Sequence, residues 1–234
     1  MPLLRGAIPS PRHRLAAAEP HKIVSGVPAQ FIRIPKQLSM WGNDTYGDCV
    51  TAEEAFAKSC HTPEIFISES FVIKWAGANG FLNGADLITV LDKMESEGFT
   101  PTKWNYKDGH PVSVDWTSPS VLHSAIFSGP VKIGIAAGQL DAVVAPNPSF
   151  IPENGWIATG FQRDTNEDHC VALCGYGTIT WLAAQLKTRV PLKINGSVQA
   201  YAMFTWNSIG IIDESSMIAI THEAWLRNPT TIVK

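Results

Sequence analysis

The apolar period of this chain changes part-way along. Leu87, Ile88, Leu91 and Met94 recur at the spacing of one helix face, whereas Val131, Ile133 and Ile135 alternate as strand residues do. A chain that is mainly helical first and mainly strand later does not wind as alternating βαβ units. It folds as α+β, with helices and sheet segregated into two lobes and a cleft between them.

The elements follow from local chemistry. Residues 1–38 are rich in Pro, Arg and Lys without a sustained period, and read as an extended arm. Phe31, Ile32 and Ile34 are apolar enough to dock that arm on the body. Residues 42–48 form a loop by their turn chemistry. A helix follows, with Asp48 as its N-cap and Cys49, Ala52, Phe56 and Cys60 on one stripe. Glu54 and Lys58 form an i,i+4 pair on it, and Asp44, Glu53 and Glu54 read as solvated surface. A glycine-rich loop spans Gly77 to Gly84, and a second helix runs from about Ala85 to Glu97, with Gly98 as its stop. Ser118-Pro119 starts a third helix that ends at Gly129. Strands are expected over Val131–Ala137, His169–Tyr176 and Ala200–Trp206, with a short helix over Trp181–Leu186. Residues 214–227 read as a strand and turn, with Glu223 to Arg227 helical.

Composition excludes several classes. With 234 residues, 45% of them apolar and a net charge of −3, the chain is neither disordered nor a nucleic-acid binder held by a basic surface. No apolar run reaches the ~18 residues of a membrane span, and residues 1–20 lack the apolar core of a signal peptide. A cytoplasmic protein is expected. Four cysteines are too sparse for a disulfide scaffold. His169 falls on the opposite strand face from Cys170 and Cys174, which argues against a shared metal site, and no cofactor is expected.

Three residues carry candidate chemistry. Cys49 sits where a glycine-containing loop turns into a helix, a place that favours a thiolate. The adjacent Asp48 carboxylate works against that charge. His169 opens an apolar strand and Asn207 follows another. The chain order Cys, His, Asn is that of thiol hydrolases in which His activates the thiol and Asn orients the His.

On these residues the chain resembles the papain-like cysteine peptidases. The family's Gln six residues before its nucleophile corresponds to Asn43, and its Gly two before to Gly47. Its Gly/Asn-rich loop resembles Gly77-Ala78-Asn79-Gly80. A Gly-Pro-Val strand start is matched at Gly129-Pro130-Val131, Asp-His before an apolar strand at Asp168-His169, Gly-Tyr-Gly at 175–177, and Asn-Ser-x-Gly at Asn207-Ser208-Ile209-Gly210. The resemblance departs at Tyr46, where the family has a disulfide cysteine, at Val50, at Ile209, which replaces a shielding Trp, and in a longer insertion over Thr178–Gln199. The 48 residues before Cys49 are also fewer than the inhibitory pro-segment typical of secreted members.

The resemblance implies a single papain-like domain over 39–234, with a helical lobe over 39–115 and an antiparallel β-rich lobe over 116–234. It implies acyl transfer on peptide or amide bonds. Cys49 is the nucleophile, His169 the proton shuttle, Asn207 its orienter, and Asn43 with the Cys49 N–H the oxyanion donors. An acyltransferase using the same Cys–His pair is one alternative. The other is a binding or assembly module, for example in a virus particle or surface complex, whose arm grips a protein partner.

Overall fold

Every residue of the helix that opens at Cys49 is buried, so the rest of the chain is arranged around it. The computed structural model describes residues 3–146, 152–227 and 230–233. Its first half holds β1 (Ala7–Ile8), α1 (Arg12–Ala17), β2 (Phe31–Ile32), α2 (Cys49–Ser59), α3 (Glu69–Ala78), β3 (Ala85–Asp86), α4 (Leu87–Ser96), β4 (Asn105–Lys107) and β5 (Val112–Ser113). Its second half holds α5 (Pro119–Ser128), β6 (Val131–Ile135), α6 (Asp141–Val144), β7 (Ile157–Ala158), β8 (His169–Thr178), α7 (Ile179–Gln185), β9 (Gln199–Thr205), β10 (Ser208–Asp213), α8 (Glu214–Ile220), β11 (Thr221–Leu226) and β12 (Thr231–Val233).

The main sheet has the order β5-β11-β6-β8-β9-β10-β7, with β2 also paired to β8. Its pairings are antiparallel except for β10 with β7. Strand alternation sends Cys170, Ala172 and Cys174 of β8 into one apolar core, shared with α2, α3 and α4. Val171 and Leu173 enter a second core on the opposite face, shared with α5 and α8. Helices thus cover both faces of the sheet, and the fold is α+β with a helical lobe against a β-rich one. Among the described residues no helix is long and apolar enough to cross a membrane.

The helix expected after Asp48 is α2, and those expected near Ala85 and Ser118 are α4 and α5. Four expectations need correction. The loop at 77–84 starts later, because Gly77 and Ala78 complete α3. Residues 214–227 run helix then strand, the reverse of the expected order, with Asp213 capping α8 by accepting from the Ser216 N–H at 3.0 Å. Within the arm, Phe31 and Ile32 pair with Tyr176 and Gly175 of β8, while Ile34 stays exposed.

The fourth correction concerns the charges on α2. Glu53 and Glu54 are 1% and 0% exposed rather than solvated. Lys132 of β6 reaches both, at 2.9 and 2.8 Å, and Arg227 reaches both, at 2.6 and 3.2 Å. Lys58 pairs with Asp108 at 2.5 Å rather than with Glu54. Burial works against the Glu54 charge, yet Arg227, Lys132 and Lys58 together hold its carboxyl below the usual range. Lys132 also donates to the Val50 carbonyl at 2.7 Å, which fixes the first turn of α2 to the β-rich lobe.

Candidate active site

Two successive left-handed residues, Trp41 (φ 50°) and Gly42 (φ 99°), turn the chain into the loop before Cys49. The Trp41 indole is locked by donating to the Ile67 carbonyl at 2.8 Å, and the Thr45 and Tyr46 amides donate to the Gly42 carbonyl. The Asp48 carbonyl then accepts from the Thr51 and Ala52 amides, which starts α2. Asp48 stands at the N-cap, but its carboxyl does not cap the helix. Burial, assisted by Asp44 and Glu69, raises that carboxyl to about 8. Asp48 in turn adds to the burial that raises the Cys49 thiol, the opposition to a thiolate expected from the sequence.

Cys49 is 2% exposed. Its sulfur faces the backbone amide of Cys170, the residue that follows His169, and also the amide of Gly6. The start of α2 and the start of β8 thus meet, with His169 one residue before the Cys170 amide that the sulfur faces. His169 is 1% exposed. Its Nε2 lies 2.8 Å from Thr205 Oγ1, and its ring stacks on Trp206 at 4.1 Å and 11°. With Nε2 engaged by Thr205, Nδ1 is the ring nitrogen left for proton exchange; it has no hydrogen-bond partner among the described residues.

Asn207 does not meet His169. Thr205 and Ser208 are the closing pair of the β9–β10 hairpin, and Trp206 (φ 40°) and Asn207 (φ 60°) are its two turn residues. Positive φ at both positions is the requirement of a type I′ turn, where Asn is a preferred residue. Asn207 makes no side-chain hydrogen bond with the described residues.

The cleft is filled by the chain itself. Asn43, 3% exposed, donates from Nδ2 to the Leu4 carbonyl at 3.2 Å, and Trp206 Nε1 donates to the same oxygen at 2.9 Å. The Ala85 amide donates to the Gly6 carbonyl at 2.9 Å, and the Ala7 amide donates to the Asp168 carbonyl at 3.1 Å. β1 runs parallel to β3 in this arrangement. A side chain at Gly6 would overlap the Gly47 carbonyl oxygen, and one at Gly84 (φ 114°) would come within 2.8 Å of the Gly6 carbonyl. Three glycines are therefore what lets the arm lie this close to both walls.

Enclosure sets the charges. Burial pushes the Cys49 thiol up to about 11, although the Cys170 and Gly6 amides and Lys132 favour the thiolate. Burial, and then the Arg5 charge, push the His169 imidazole down to about 3. With the arm in place the pair is neutral thiol and neutral imidazole.

No protein-family model matches the sequence, and no curated protein matches it. Solved structures do. Xylellain, a cysteine protease from Xylella fastidiosa, superposes with a TM-score of 0.61 at 13% identity, covering 95% of each chain. The Amb a 11 cysteine protease, a major ragweed pollen allergen, in its proform gives 0.61 at 13% identity over 93% of this chain and 73% of that one. Bromelain from Ananas comosus, in complex with the E64 inhibitor, gives 0.55 at 13% identity over 86% and 99%. The chain has a papain-like fold.

Within this papain-like fold Cys49, His169 and Asn43 are all buried, Cys49 facing the Cys170 amide and Asn43 the Leu4 carbonyl. Thr205 takes the place on the imidazole that the sequence suggested for Asn207, and Trp206 supplies the aromatic cover whose loss seemed implied by Ile209. The available sequence signal was the turn chemistry of Trp206-Asn207-Ser208, which ends β9 at Thr205. All four cysteines are free and buried. Among the described residues no group of three His, Cys, Asp or Glu side chains is placed to hold a metal ion.

Proposed function

We propose that this chain is a papain-like thiol hydrolase of peptide or amide bonds, held closed by its own residues 3–8. The observation that carries this reading is an extended peptide segment, Leu4–Ala7, hydrogen-bonded across Cys49 from both walls of the cleft. A groove that holds one peptide backbone in this way is suited to another.

When the arm leaves, water reaches Cys49 and His169 and the Arg5 charge departs. Each change favours the thiolate–imidazolium pair. The thiolate adds to the substrate carbonyl, and the developing oxyanion is taken by Asn43 Nδ2 and the N–H of Cys49, one of the unladdered donors at a helix start. His169 passes its proton to the leaving amine, leaving a thioester that water, deprotonated by His169, hydrolyses. Thr205 orients the imidazole in the role that Asn207 was expected to fill, and Trp206 keeps bulk water from it.

The test is turnover of fluorogenic peptide amides by the Gly6→Ala chain, in which the arm no longer fits beneath Gly47. Turnover that disappears on adding Cys49→Ala supports the reading. Absence of turnover, with Cys49 freely alkylated in the same variant, overturns it in favour of a binding module.

A further inference from the structure

The arm also leaves a side chain in the cleft wall, and its surroundings identify a subsite. Arg5 reaches Asp168 at 2.5 Å through one terminal nitrogen and Asp141 through the other. The two carboxylates come from separate elements: Asp168 immediately precedes β8, and Asp141 opens α6. Asp168 is braced independently of Arg5, since its Oδ1 accepts from the Ala137 amide at 2.9 Å and its Oδ2 from Asn166 Nδ2 at 3.4 Å. Asp141 Oδ1 is buried without a hydrogen-bond partner. Among the described residues Arg5 is the only cation in ion-pair contact with either carboxylate.

We propose that Asp141 and Asp168 form a subsite for a basic side chain of the peptide that replaces residues 3–8, so that the enzyme selects substrates carrying Arg beside the attacked bond. The proposal rests on the hydrolase reading and names its substrate class. Arg is preferred to Lys because the two terminal nitrogens of one planar group each meet a different carboxylate, on different elements.

The full chain carrying Arg5→Ala provides the test, with two readouts. The first is alkylation of Cys49 by iodoacetamide. Loss of both ion pairs is expected to speed it at least about tenfold. Millimolar ethylguanidine is expected to slow it again by filling the pocket, whereas ethylurea does not, and Asp141→Asn in the same chain abolishes the protection. The second is kcat/KM for paired peptides containing Arg or its neutral isostere citrulline. A ratio of at least about ten is expected, falling towards one with Asp141→Asn. An unchanged alkylation rate, or a rate that ethylguanidine leaves alone, overturns the subsite, as does an Arg-to-citrulline ratio near one. Guanidine protection without turnover of either peptide leaves the subsite standing and overturns the hydrolase reading instead.

Discussion

Thr205 Oγ1 lies 2.8 Å from Nε2 of His169, and both residues stand at strand ends, the last of β9 and the first of β8. The hydroxyl therefore holds the imidazole from the sheet itself, on a rigid element, rather than from the turn two residues further on.

Thr205→Val keeps the shape and removes the hydroxyl. It leaves His169 Nε2 buried without a partner, at a cost of about 1–3 kcal/mol. Peptide turnover falls with it, and the pH profile shifts. Asn207→Gly, which satisfies the same left-handed turn, is expected to leave both stability and turnover close to wild type. Equal losses in the two variants, measured by urea denaturation and by kcat/KM, would contradict this assignment.

Gly6→Ala places a methyl group against the Gly47 carbonyl oxygen. The arm is displaced and Cys49 becomes accessible. Alkylation by iodoacetamide at neutral pH is expected to accelerate at least about tenfold over wild type, while the thermal midpoint, set by the two cores, moves little.

The imidazole of His169 is held near 3 in the closed fold, against about 6.5 when free in water. Between those values the unfolded chain binds the proton and the native one does not. The stabilising contribution is thus complete above about 6.5 and is lost as pH falls towards 3. Urea midpoints should decline from pH 7 to pH 4 more steeply in wild type than in His169→Gln. Parallel declines would show that the ring is not held neutral.

Asp48 has the opposite sign. Its carboxyl is raised to about 8 from an ordinary 3.8, so its favourable state is the protonated one, and stability drains away as pH climbs from about 4 through 8. Asp48→Asn should therefore gain on wild type progressively from pH 5 to pH 9. A constant difference in unfolding free energy across that range would refute the prediction.

Lys132→Met leaves Arg227 as the cation paired with Glu53 and Glu54 and removes the donor on the Val50 carbonyl. Stripping one member from a buried ion cluster costs about 3–5 kcal/mol, and the loss is expected as a shifted denaturation midpoint with an unchanged m-value.

Helix α4 and strands β6, β8 and β9 were legible because their apolar spacing is local and their ends carry caps and glycines. The starts of α2 at Cys49 and of β8 at His169 were legible because the loop before the one and the apolar alternation of the other have recognisable chemistry. Glu53 and Glu54 were not, since their burial depends on Lys132 and Arg227, which arrive from far along the chain, and a carboxylate on a helix looks solvated until its partners are placed. Asn207 misled because Asn serves both an imidazole and a type I′ turn, and only the hairpin register of Thr205 against Ser208 decides between them. Arg5 looked like one of several arm cations, because nothing local reveals that Asp141 and Asp168 converge on it.

Gly6 and its neighbours belong to the same chain as the residues they cover, and the segment between them is anchored where β2 pairs with β8. A tethered ligand acts at an effective concentration that is commonly in the millimolar range. On the proposed hydrolase reading, an incoming peptide must outcompete that local ligand before it meets the thiol, so weakly bound and abundant peptides are discriminated against by competition even when they would react well.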